Sequence, residues 1–257
     1  MSFPYIAALS WRAVSVQYVS TSALHVGALG MTEDGSMYRL CLAGGTISSS
    51  LAAAINAWTY LTGVTGSCAE AALSTAIAVG DVDFTFADTN TRAKDYYKDG
   101  YMVQPSGTYD CIRHIWKSDV AVAADDKVKC YVSAPFTIAD AVGNTVQCYP
   151  NPWGNVKTPN AAYPSGNEHF VCVPPAPITS GKYFWGQVHG PHWLWFAGIG
   201  GNWPGADAND RELYFHINGA VDLLDRRVHT GAISPQRAGY LMYSGDYGDV
   251  MTFLLIE

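Results

Sequence analysis

The stretch Val79-Gly80-Asp81-Val82-Asp83-Phe84-Thr85-Phe86 sets a tight turn directly before a strict alternation of apolar and polar side chains. Successive residues of a strand point to opposite faces, so Val82, Phe84 and Phe86 share one side and Asp83 and Thr85 the other. One face is expected in a core and the other in water. The same grammar recurs outward from this point. Asp34-Gly35 precedes Ser36 to Cys41, Lys98-Asp99-Gly100 precedes Tyr101 to Gln104, and Ser106-Gly107 precedes Thr108 to Ile115. Ala124-Asp125-Asp126 leads into Lys127 to Val132, and Gly143-Asn144 into Thr145 to Tyr149. His169 to Val173 and Tyr183 to Val188 close the series. Turn dipeptides followed by short alternating runs, with no credible helix between residues 79 and 190, argue against βαβ units and for antiparallel pairing.

These segments predict an all-β fold: an antiparallel β-sandwich or jelly-roll-like barrel with long loops and at most a short helix. The one helix candidate is Ser48 to Leu61, where Leu51, Ile55, Trp58 and Leu61 fall near helical spacing behind a possible Ser50 cap; a strand-edge loop is the other reading. Residues 150–164 hold four prolines and three asparagines and predict a long ordered loop. Beyond residue 196 the Gly-rich run Gly198 to Gly205 reads as a connection. Residues 1–195 are therefore expected to form the core. Residues 196–257, with strand candidates Glu212 to Ile217 and Val250 to Ile256, are expected to form an extension that packs on it or on a neighbouring subunit.

Composition narrows the function classes. Of 257 residues 49% are hydrophobic and only 14% charged, against about a quarter in ordinary domains. Aromatics reach 13%, with 16 Tyr and 8 Trp. Such rings bury much area while losing few rotamers, which favours a subunit that hides surface in an assembly or a large well-packed monomer. The net charge is −7 and no Lys/Arg cluster offers phosphates a landing stripe, so nucleic-acid binding is not expected. The N-terminal residues lack signal-peptide features and no apolar run reaches membrane-spanning length, which predicts cytoplasmic synthesis and no membrane partner. The six cysteines, Cys41, Cys68, Cys111, Cys130, Cys148 and Cys172, form no CxxC pair, and free buried thiols are expected.

Chemistry-bearing motifs are sparse. A nucleophile elbow, a phosphate-binding Gly loop and an HExxH helix are missing. His189-Gly190-Pro191-His192, with His169 and His216, is the nearest approach to a metal set; a satisfied histidine pair in a turn is the preferred reading, because a site needs three or four converging ligands. Asp81, Asp83 and Asp88 lack the Gly and terminal Glu of a calcium loop. A pair of glycosidase carboxylates far apart in the chain would leave no local mark, and no residues point to one. No catalytic, cofactor-binding or metal residue is assigned. The densest aromatic patch, Trp185, Trp193, Trp195 and Trp203, reads three ways: core, protein interface or sugar-stacking platform.

An ordered set of motifs carries a family resemblance. Asp34-Gly35-Ser36-Met37-Tyr38-Arg39-Leu40-Cys41-Leu42-Ala43-Gly44-Gly45 resembles the opening segment of the capsid decoration, or cement, proteins of tailed phages. Asp95 to Val103, Gly107 to His114, Ser133-Ala134-Pro135-Phe136, Tyr149 to Trp153 and Val171 to Pro174 are similar to later segments of that family, in the same order. Ile178-Thr179-Ser180-Gly181-Lys182-Tyr183-Phe184-Trp185-Gly186-Gln187-Val188-His189-Gly190 is the most specific match. The set spans residues 31 to 195, about two thirds of the chain; residues 46–74 and the tail beyond 196 depart from the pattern. The resemblance implies a non-enzymatic β-sandwich subunit, commonly a homotrimer, seated on the major capsid protein at the outer surface of the virion. Tyr183, Trp185, Trp193, Trp195, Trp203 and Trp153 are then the expected contact residues. The alternative function is a carbohydrate-recognising head fibre or receptor-binding protein.

Overall fold

The computed structural model describes residues 6–19, 24–56, 69–88, 90–105, 110–120, 127–159, 169–197, 211–216, 218–223, 236–244 and 249–256. In chain order the elements begin with β1 (Ala7–Ala8), α1 (Trp11–Val14), β2 (Gln17–Tyr18), β3 (Leu29–Met31), β4 (Met37–Leu42) and β5 (Ala54–Asn56). They continue with β6 (Ala69–Ala72), β7 (Asp83–Ala87), β8 (Gly100–Pro105), β9 (Asp110–Ser118), β10 (Lys127–Val132) and β11 (Thr145–Tyr149). The last are β12 (Val156–Lys157), β13 (Phe170–Cys172), β14 (Tyr183–Trp195), β15 (Glu212–Phe215), β16 (Val221–Leu223), β17 (Arg237–Ser244) and β18 (Asp249–Leu255). The fold is all-β and almost wholly antiparallel. It splits into two compact units, one from Met1–Ala57 with Trp153–Glu257 and one from Trp58–Pro152.

The 58–152 unit is a single antiparallel sheet in the order β6-β11-β8-β9-β10-β7. Its two edge strands meet: Leu73 bridges Phe86, and the Ser74 amide donates to the Thr85 carbonyl at 2.8 Å. The sheet is thereby nearly closed into a barrel, which removes the open edges that invite aggregation. Alternation fills the interior. Phe84 and Phe86 point inward to join Leu73, Tyr97, Met102, Ile115, Val128, Phe136 and Val146 in one core. Val82, expected on that face, is instead exposed, because β7 begins only at Asp83 and Val82 belongs to the preceding connection.

The other unit is a sandwich. Its larger sheet runs β1-β3-β4-β14-β18-β17-β15-β16, with β2 also paired to β14; its smaller one runs β12-β5-β13. Cys41, Phe184, Val188, Leu194, Leu213, Val250 and Leu254 of the large sheet pack against Ala54, Val156 and Cys172 of the small one. Burial on this scale removes apolar area from water at roughly 25 cal/mol per Å². Over β4 and the first half of β14 the reverse side carries a second core, where Tyr38, Leu40 and Trp185 meet Ala7, Val14 and Ala28.

Two expectations need correction here. The boundary near residue 195 does not exist: His189 to Trp195 of β14 pair residue for residue with Leu255 to Asp249 of β18. Without that partner the second half of β14 would lack a hydrogen-bonding neighbour on that side; the tail packs on the core, as expected of it, by adding strands to the large sheet. Residues 48–56, the described part of the Ser48 to Leu61 segment, hold no helix. Ala54–Asn56 is a strand, which favours the strand-edge reading; Trp58 and Leu61 fall outside the described residues, and the helix among the described residues is Trp11–Val14, capped where Ser10 Oγ accepts from the Ala13 amide at 3.2 Å. The described part of the Pro/Asn-rich loop contributes the two residues of β12.

Candidate functional site: an open aromatic sheet face

The side of β14, β18 and β17 away from the large core is the most distinctive surface of the sandwich unit. On β18, Val250, Thr252 and Leu254 point inward, which turns Met251 and Phe253 outward. Cross-strand register lines these up with neighbours. Trp193 of β14 sits opposite Met251, which sits opposite Tyr243 of β17. Phe253 sits opposite Tyr240 and stacks on it, with centroids 5.0 Å apart and planes 9° from parallel. His189 meets Phe253 edge-on, with ring centres 4.9 Å apart. Such cross-strand aromatic pairs stabilise a sheet by roughly 0.2–1 kcal/mol each.

The face stays open to solvent. Trp193 is 38% exposed, Trp195 46%, Tyr240 39% and Tyr243 64%. Among the described residues the charges beside it are Asp249, opposite Trp195, and Glu212, opposite Tyr240 and paired with Arg237 at 3.2 Å. That ion pair is itself exposed and contributes little. The result is a pleated platform of aromatic and thioether side chains, suited to lose water against another flat surface.

The expected contact residues are divided by the structure. Trp193 and Trp195 lie on the open face. Trp185 does not: it is 3% exposed and belongs to the second core, because its position in β14 turns it under the N-terminal segment. Tyr183 packs beside it, half-buried. Trp153 packs against the large core with the Arg39 guanidinium 4.8 Å from its ring centre, and Trp203 lies outside the described residues. Tyr240, Met251, Phe253 and Tyr243 were not singled out from the sequence. The signal was present in the alternation Val250-Met251-Thr252-Phe253-Leu254, which reads as a uniform apolar run unless its outward half is counted separately.

His189 and His192 lie within a strand and not in a turn, although Gly190 between them has φ +102°, a backbone region that L side chains avoid. The His192 ring spans Gln187 Oε1 at 2.8 Å and the Ser50 carbonyl at 3.0 Å. Burial holds its imidazole below the ordinary value, against the opposing pull of the Ser50 carbonyl. Among the described residues no three His, Cys, Asp or Glu side chains converge. The described cysteines, Cys41, Cys111, Cys130, Cys148 and Cys172, are buried thiols outside any disulfide, as expected of them; Cys68 lies outside the described residues. Comparison with protein-family models, with curated proteins and with solved structures finds no match to this chain.

Proposed function

We propose that this chain is a non-enzymatic structural protein of a tailed-phage virion, which binds the outer surface of the capsid and stabilises the expanded shell. The open aromatic face carries the reading. Four exposed aromatic residues on adjacent strands, in register with the half-buried Met251 and Phe253, have the composition of an interface core before its partner arrives. The ordered motifs that resemble capsid decoration proteins supply the partner class: the major capsid protein and further copies of this chain, as a homotrimer. Repetition across a lattice multiplies modest contact energies through avidity, and preference for the assembled shell stabilises that shell by mass action. Neither effect requires a catalytic site.

The test is binding of the purified protein to expanded shells of its own phage. Trp193→Ser combined with Tyr243→Ser is expected to cost about 2 kcal/mol or more of binding per subunit, the scale of an interface hot spot, while the fold persists. Failure of the unaltered protein to bind any such shell rejects the reading.

A second reading, a carbohydrate-recognising head fibre or receptor-binding protein, draws on one observation. Trp193 and Trp195 present two exposed indoles from one strand, and the Asp249 carboxylate lies opposite the second. Sugar rings stack on such indoles and hydrogen-bond to a carboxylate beside them. Glycan-array binding that disappears in Trp195→Ala would favour it over the capsid role.

A further inference from the structure

The large core of the sandwich unit holds two cysteines in contact. Cys41, on β4 of the large sheet, donates its thiol to the Cys172 Sγ, on β13 of the small sheet, at 3.8 Å. Both are 0% exposed, and they lie 131 positions apart in the chain. The space they share is kept by Gly186 of β14, where a Cβ would overlap the Cys172 side chain and stand 3.3 Å from the Cys41 Sγ. Sulfurs at van der Waals separation reach the roughly 2.05 Å of a disulfide by side-chain rotation together with an approach of the two layers. Cys111, Cys130 and Cys148 belong instead to the barrel core.

We propose that Cys41 and Cys172 form a latent cross-link, a dithiol that a small-molecule disulfide such as oxidised glutathione converts to an intersheet disulfide. In the first step one cysteine thiolate attacks the glutathione disulfide, forming a mixed disulfide and releasing one glutathione thiolate. The second cysteine, deprotonated, then attacks the protein-bound sulfur, forms the Cys41–Cys172 bond and releases the second glutathione. Two protein thiols are oxidised and one external disulfide is reduced to two thiols.

Burial sets the rate. Removal from water, and then the hydrogen bond from Cys41, hold the Cys172 thiol well above its ordinary value, and both sulfurs are out of reach of a dissolved disulfide while the core is closed. Reaction follows opening of β13, a three-residue strand whose pairing to β5 is interrupted by a register shift between Phe170 and Cys172. The Gln236 side chain closes that strand through two 2.8 Å hydrogen bonds to the Phe170 backbone. The bond therefore forms slowly in a protein exposed to small disulfides and stays open in a reducing cytoplasm. This inference does not depend on the proposed capsid role.

The test incubates the folded, full-length protein with oxidised glutathione, quenches by alkylation, and maps the digest by mass spectrometry. The expected product is a peptide pair joined through Cys41 and Cys172, with two fewer thiols titrated after denaturation. Guanidinium unfolding of the oxidised protein should be roughly tenfold slower or more, because the closed loop is long, and dithiothreitol should restore the original rate. Cys41→Ser and Cys172→Ser should each abolish both the linked peptide and the slowing. Recovery of Cys41 and Cys172 as free thiols at the end of the incubation, or their linkage to other cysteines, overturns the proposal.

Discussion

The Tyr97 hydroxyl donates a 2.6 Å hydrogen bond to Asp88 Oδ2 in the interior of the barrel unit. Asn90 Nδ2 reaches the other carboxylate oxygen at 3.0 Å, and Arg92 Nε reaches Oδ2 at 3.1 Å. Burial works to raise the Asp88 carboxyl, but these donors outweigh it and leave the group below its ordinary value. Tyr97 is pushed strongly upward, first by burial and then by the carboxylate it serves, so it stays a neutral donor. A carboxyl lowered on folding binds fewer protons than its unfolded counterpart. Its stabilisation is present above the unfolded value of about 4 and is lost as pH falls through the folded value.

Tyr97→Phe should therefore cost the barrel unit about 1.5–3 kcal/mol at neutral pH, the scale of a hydrogen bond to a charged group. It should also move the acid limb of the stability profile upward in pH. Denaturant melts at several pH values, followed through the half-exposed Trp116, measure both. An acid limb that does not move would refute this account of the cluster.

Gly186→Ala places a methyl group against Cys172 in a packed core. Overpacking of this kind costs about 1–3 kcal/mol, and here it should also separate the Cys41 and Cys172 sulfurs. Equilibrium unfolding of the purified variant reads the cost, and a change under about 0.5 kcal/mol would count against the close approach.

Thr252 is 0% exposed, and its Oγ1 has no hydrogen-bond partner among the described residues. Thr252→Val keeps the shape and removes a buried hydroxyl whose lost hydration is not repaid. Stability should rise by about 1 kcal/mol, within the range for burying an unpaired polar group. A fall of similar size in a thermal melt would mean that the hydroxyl is satisfied after all.

Removal of residues 196–257 should leave no soluble sandwich unit. The cut strips β18 from His189 to Trp195 and takes Leu213, Val221, Val250 and Leu254 out of the large core. Single buried Leu truncations already cost about 2–5 kcal/mol each. A folded 1–195 fragment with native near-ultraviolet dichroism would contradict the sheet order.

Much of the strand pattern was legible because its rules are local. Asp83–Ala87, Lys127–Val132 and Thr145–Tyr149 lie where a turn dipeptide precedes alternating residues, and their inward sides are buried. Pairing over long distances was not legible. Nothing near Trp195 announces that Asp249 will lie beside it, so the sequence left open whether the tail adds strands to this core or to a neighbouring subunit. The indole of Trp185 illustrates the same limit: its neighbours Ala7, Val14 and Ala28 are remote in sequence, and aromatic density alone does not tell a core ring from an open one. Trp193 and Trp195 were legible as residue types, but their exposed setting depends on Met251, Tyr240 and Tyr243, which arrive from strands formed last in the chain.

The sandwich unit is assembled from two stretches of chain with the barrel unit between them. During vectorial synthesis β4 therefore leaves the ribosome long before β14 exists to pair with it, whereas all six barrel strands emerge in one continuous stretch. The barrel is the natural first structure, and the N-terminal strands must wait with their hydrogen-bonding edges and apolar side chains unmatched. Nascent chains stalled after the barrel would be the form that most needs a chaperone, and a mutation that slows translation there would lower yield without touching the stability of the finished protein.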